Sequence, residues 1–342
     1  MGLNRNITHI RMGRRAHEHE NVPHNWECID INNFQLPKAR AGKAIFEFCG
    51  NNATRDEAGN GEAKITQALL PPDQVDDTEI YTFVYNGEPI KSGGRYLLAE
   101  YEDDAKLLYE KVFKPMLFDS KGYIKSSKGV EAVFDSFILS AHCGGANFAN
   151  IIIEGFNKTL HEHFPKAMAE LLTNKIQYFA YAPNELPNHN VNALLITPSV
   201  DPSCSWSKAI EFAGDHKVDI DYPKGIVKKL LSARQSEYAD QLFARFFDKT
   251  RAIMFRVGNS TYYMPGPMNP NKRVGDHSRE CLVRDHILNS GTDYAETARM
   301  TNAVARRQMA GFLGRGMFDA KGFFSEVSVR LDKNKPKTPS TM

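Results

Sequence analysis

The residue whose type and setting best suit acyl-transfer chemistry in this chain is Cys143. A cysteine attacks a carbonyl carbon as the thiolate, which a neighbouring base or a local positive field must help to form. Cys143 has telling surroundings. The apolar run Phe137-Ile138-Leu139-Ser140-Ala141-His142 predicts a strand, and the apolar-periodic stretch 145–160 predicts a helix. Cys143 lies between them, with Ala141 and Gly145 two residues away on either side. This small-x-nucleophile-x-small spacing suits a strained strand-to-helix turn, a nucleophile elbow, where bulky neighbours would clash. The turn would also set the sulfur at a helix N-terminus, whose unpaired N–H groups and positive dipole end favour an anion. A free cysteine is otherwise at home as a small buried hydrophobe. The functional reading therefore rests on the neighbours of Cys143.

Ala141-His142-Cys143-Gly144-Gly145-Ala146 resembles the Gly-His-Ser-x-Gly-Gly box of α/β-hydrolase lipases and esterases, with Ala for the first Gly and Cys for Ser. Cysteine at that position also resembles dienelactone hydrolases and polyhydroxyalkanoate synthases. The resemblance implies an α/β-hydrolase fold, a mainly parallel sheet with helices on both faces, and the chain order nucleophile, acid, histidine. Asp201, in Pro198-Ser199-Val200-Asp201-Pro202 after a predicted strand, falls where the family keeps its acid. His277, in Asp276-His277-Ser278 after the last predicted strand, falls where it keeps its base. A rival, His286, sits in an apolar-periodic run that suits a helix. The run 44–48 followed by Cys49-Gly50-Asn51-Asn52 resembles the third strand and its oxyanion loop, with Cys49-Gly50 replacing the family's His-Gly. The resemblance assigns the oxyanion donors to the N–H groups of Asn51 and Gly144.

The elements that must position these residues alternate along the chain. Strands are expected at 26–31, 44–48, 79–85, 137–142, 175–181, 192–197 and 252–257. Helical periodicity marks 62–70, 102–114, 127–137, 164–174, 226–247 and 293–313 as well as the stretch after Cys143. That alternation argues for a mostly parallel sheet covered on both faces. Residues 44–325 are read as one such domain, preceded by an extension or early strands over 1–43. A helical insertion over 203–250 would serve as a lid or a partner surface. The Gly-, Pro- and Asn-rich stretch 258–275 reads as a loop, and 326–342 as a disordered tail.

Composition removes several classes. Charged residues make up 25% of the chain and the net charge is +2, so no basic field points to nucleic acid. The longest apolar runs, such as Ala193-Leu194-Leu195-Ile196, fall far short of the ~20 residues a membrane helix needs. Five cysteines (28, 49, 143, 204 and 281) form no C-x-x-C pair, which suits free thiols in a reducing compartment. No secretory leader pattern is evident, so a cytoplasmic location is expected, though a protein exported without a leader would read alike. His9, His17, His19 and His24, and the cluster Asp215, His216, Asp219 and Asp221, lack ligand spacing, so no metal or cofactor is expected.

These readings converge on a cysteine-dependent hydrolase or acyltransferase acting on an ester, thioester or lactone, with a small-molecule or acyl substrate and no protein partner identified. Two alternatives stay open. One is a non-catalytic binding protein of the same fold, which the missing first glycine and the missing oxyanion histidine would suit. The other is a glutamine-amidotransferase-like enzyme, although Phe148 stands where that motif has Gln.

Overall fold

The apolar runs of the sequence pair into one ten-stranded sheet. Its strands are β1 (Asn6–Ile10), β2 (Trp26–Asp30), β3 (Ala44–Phe48), β4 (Glu79–Phe83), β5 (Phe137–His142), β6 (Gln177–Tyr181), β7 (Asn192–Ile196), β8 (Val218–Tyr222), β9 (Ala252–Val257) and β10 (Ser260–Pro265). This computed structural model describes residues 6–10, 26–30, 43–50, 63–75, 78–83, 98–199, 206–233, 252–268, 282–283, 288–289 and 291–315. The strand order is β2-β1-β4-β3-β5-β6-β7-β10-β9-β8. From β4 to β10 every neighbour is parallel. Only β1 and β9 run against their neighbours. The expected mostly parallel sheet is therefore present, and β5, β6 and β7 are buried at every position. Strands covered on both faces read as continuous apolar runs, which is why they were visible in the sequence.

Helices cover both faces. On one lie α2 (Leu98–Leu108), α3 (Ser127–Asp135), α4 (Gly145–His163), α5 (Lys166–Thr173), α6 (Trp206–Asp215) and α7 (Ile226–Ala233), whose apolar sides join Phe46, Phe48, Phe137 and Tyr178 in one core. On the other lie α1 (Ala63–Leu69) and α8 (Asp293–Arg315), which pack on Ile45, Ile138, Phe179 and Tyr263. α3 starts where Ser126 Oγ accepts the Gly129 N–H at 3.2 Å, an N-cap that satisfies one orphan donor. α2 runs on through a π turn at Tyr109–Phe113 and a 3-10 turn at Lys114–Leu117, which carry Tyr109 and Phe113 into the core beside α4.

The segment over 1–43 contributes strands β1 and β2 to the same sheet. Two expectations change. The stretch 203–250, expected as a helical insertion, is not solely helical, because residues 218–222 within it form β8, paired with β9. The 258–275 stretch begins with a strand, not a loop: Gly258, at φ +57°, and Asn259 turn the chain back into β10, which pairs antiparallel with β9 and parallel with β7. The Gly, Pro and Asn content there reports the turn and the loop beyond, and it masked the β-forming run Ser260-Thr261-Tyr262-Tyr263. The predicted helix over 226–247 is described only to Ala233, and the tail 326–342 lies outside the described residues. No helix among the described residues is long and apolar enough to cross a membrane.

Candidate active site around Cys143

β5 delivers its last residue, His142, to the C-terminal edge of the sheet, and Gly145 opens α4 three residues later. Cys143 makes the bend with φ +51°, in the left-handed region that a residue bearing a Cβ seldom adopts. Strain of this kind persists only where the surroundings hold it. The Cys143 N–H donates to Tyr181 O at 3.3 Å, and its carbonyl accepts from the Ala146 and Asn184 N–H groups at 3.1 and 3.2 Å. The side chain stays partly exposed and its sulfur is a thiol, not half of a disulfide. The Ala146 and Asn147 N–H groups donate to the Cys143 and Gly144 carbonyls at 3.1 Å each, so Gly144 and Gly145 stand at the start of the helix, where backbone N–H groups lack intrahelical partners.

The small residues around the cysteine have measurable reasons. A Cβ on Gly145 would lie 2.1 Å from Phe48 O and 2.7 Å from Cys49 O, so the first turn of α4 rests directly on the end of β3. Ala141, level with Phe48 on β3 and Ala180 on β6, is fully buried. A Cβ on Gly50 would lie 3.2 Å from Cys143 Cβ and 3.3 Å from His142 Nδ1. The chain leaving β3 thus passes directly against Cys143.

Two neighbours carried no role in the sequence reading. His142 is 8% exposed, with its ring 6.1 Å from that of Tyr181 and one nitrogen facing Gly50. Asn184 follows β6 after a bend at Ala182, which has φ +48°. Its Oδ1 lies 3.7 Å from Cys143 Sγ, within the range of a thiol hydrogen bond. The only sequence signal for it is Pro183-Asn184 directly after a strand, and nothing in that signal ties it to a cysteine 41 residues away.

Of the residues named from sequence, the structure brings together Cys143, Gly144 and Gly50. Asp201, His277 and Asn51 lie outside the described residues, as does the rival His286. The segments leading to Asp201 and His277 are nonetheless joined. After β7 the Thr197 N–H donates to Tyr263 O at 2.9 Å, and the Ser199 N–H to Pro265 O at 3.1 Å. The chain toward Asp201 and the chain toward His277 therefore leave the sheet side by side, from strands adjacent to one another. Among the described residues no group of three His, Cys, Asp or Glu side chains is placed to hold a metal ion.

The fold and site define an α/β protein with a mostly parallel sheet and a cysteine at a strained strand-to-helix bend. No protein-family model matches the chain, and no curated protein matches it either.

Proposed function

We propose that the protein is a cysteine-dependent hydrolase or acyltransferase of α/β-hydrolase type, acting on an ester, thioester or lactone. The observation that carries this reading is the bend at Cys143: a left-handed residue between a central parallel strand and a helix N-terminus, with its thiol partly exposed. The acid and histidine come in the hydrolase order, after β7 and after β10.

In this reading His277 takes the thiol proton while Asp201 fixes its tautomer. The sulfur lone pair bonds to the carbonyl carbon and the carbonyl π pair moves onto oxygen. The Gly144 and Asn51 N–H groups, the donors the resemblance assigns, hold that oxyanion. Collapse expels the alcohol or thiol, which takes the proton from His277 and leaves an acyl thioester. Water or another acceptor then removes the acyl group.

The test is turnover of a panel of short activated esters and thioesters by the wild type and five variants. Cys143→Ala and His277→Ala should each remove nearly all activity, and the double variant should lose little more, because residues acting as a unit are non-additive. Asp201→Asn should cost less than either. Cys143→Ser should lose most activity, since a serine hydroxyl has a far higher pKa than a thiol. In parallel, iodoacetamide should label Cys143 well before Cys49, which is 1% exposed. A folded wild type that turns over nothing across the panel would establish the non-catalytic binding protein instead.

A further inference from the structure

The geometry points to Asn184 as a further catalytic residue, its side-chain amide donating a hydrogen bond to the oxyanion formed at Cys143. This inference rests on the acyl-transfer reading above.

The amide touches the reacting atom, since Asn184 Oδ1 lies 3.7 Å from Cys143 Sγ. An oxygen two bonds from that sulfur, as in a tetrahedral adduct, falls within hydrogen-bonding reach of the same group. In the resting enzyme the thiol S–H donates to Oδ1. Once the proton has left and negative charge has moved onto the substrate oxygen, Oδ1 faces the wrong sign. A half turn of the carboxamide about its last torsion, a broad two-fold rotor, presents Nδ2–H in its place. A carboxamide serves both states, whereas a carboxylate or a hydrocarbon serves at most one.

Donors stabilise a transition state best when they are held in place beforehand. The Asn184 backbone is pinned on three sides. Its own N–H donates to Cys143 O at 3.2 Å, and the Ala182 N–H donates to Ile196 O at 2.8 Å. Two residues on, Leu186 O accepts from Asn150 Nδ2 of α4 at 3.0 Å. The segment 182–186 is thus fastened to the nucleophile, to β7 and to the helix that follows the nucleophile.

The experiment compares two reactions at one sulfur. Hydrolysis of an activated ester develops an oxyanion; alkylation by iodoacetamide, a displacement at saturated carbon, develops none. Asn184→Ala should lower ester kcat/KM by about 100-fold, the usual effect of removing one oxyanion donor, and change the alkylation rate of Cys143 less than about threefold. Asn184→Asp, nearly isosteric and acceptor-only, should lose at least as much turnover and also slow alkylation, because a carboxylate then faces the thiolate. Turnover that depends on Cys143 but survives Asn184→Ala within about threefold would overturn the assignment. Equal losses in turnover and alkylation would also overturn it, showing that Asn184 merely seats the thiol. If the wild type shows no Cys143-dependent turnover, the acyl-transfer reading fails and the inference fails with it. Circular dichroism and melting of each variant keep a folding defect from counting as any of these.

Discussion

Beneath α4 the sheet is faced with phenyl rings, whereas beneath α1 and α8 it carries hydroxyls, amides and a carboxyl among its apolar side chains. On the α4 side Phe46, Phe113, Phe134, Phe137 and Phe156 interlock, with Phe46 and Phe113 edge-on at 4.9 Å and Phe134 and Phe156 edge-on at 5.1 Å. Burial pushes the Tyr178 and Tyr262 phenols on this side well above their ordinary pKa, so both stay neutral in a dry core. On the opposite side Thr82, Glu47 and Ser140 stand level on β4, β3 and β5, all fully buried. Thr66 of α1 donates to Glu47 there at 2.8 Å. The difference shows where the molecule invests in geometry. Close-packed rings transmit small displacements, and they lie under the helix that sets the Cys143 bend.

The largest effect should come from breaking the seat of that helix. In Gly145→Ala the new Cβ meets main chain, Phe48 O at 2.1 Å, which has no rotamer to swing away. β3 or α4 must shift, and a loss of more than about 3 kcal/mol is expected, read as the urea midpoint at constant m-value. Gly50→Ala is the control: its closest contact is 3.2 Å to a side-chain Cβ, so stability should fall much less. Similar losses for the two would mean that the α4 seat is no stiffer than the loop beside it.

Next in size is the ring cluster itself. Phe156 is fully buried and touches Tyr109, Phe113, Phe134 and Phe137. Phe156→Ala removes that ring from a packed setting and should cost about 3–5 kcal/mol, transfer and cavity terms together. A loss below about 1.5 kcal/mol would show that the cluster collapses around the hole, and the contrast between the faces would weaken.

How far the sequence disclosed this architecture follows from the same local physics. The bend at Cys143 was legible because Gly145 must be small to rest on Phe48 O, and that demand leaves a short-range mark in the chain. The central strands were legible because both of their faces are buried. β8 was missed although Val218, Ile220 and Tyr222 alternate with Asp219 and Asp221, because charges at an edge strand resemble those of a loop. Asn184 was illegible for a different reason. Its role comes from a contact between the ends of β5 and β6, and strand pairing, not local composition, creates that contact.

The smallest effects should lie on the polar side, where the sign depends on what a deleted hydroxyl leaves behind. Thr66→Val on α1 and Thr82→Val on the sheet face that α1 covers are the same near-isosteric change. Thr66 Oγ1 donates to the buried carboxyl of Glu47, so its removal breaks a buried hydrogen bond and should cost about 1–3 kcal/mol. Thr82 Oγ1 is buried with no hydrogen-bond partner among the described residues, as is Ser140 Oγ. Thr82→Val and Ser140→Ala therefore remove desolvated groups that return nothing, and each should leave stability within about 1 kcal/mol of the wild type or raise it. Urea titrations of the three variants side by side decide the matter. Should Thr82→Val cost as much as Thr66→Val, the level row of Thr82, Glu47 and Ser140 would be a bonded network, as exacting as the rings on the other face.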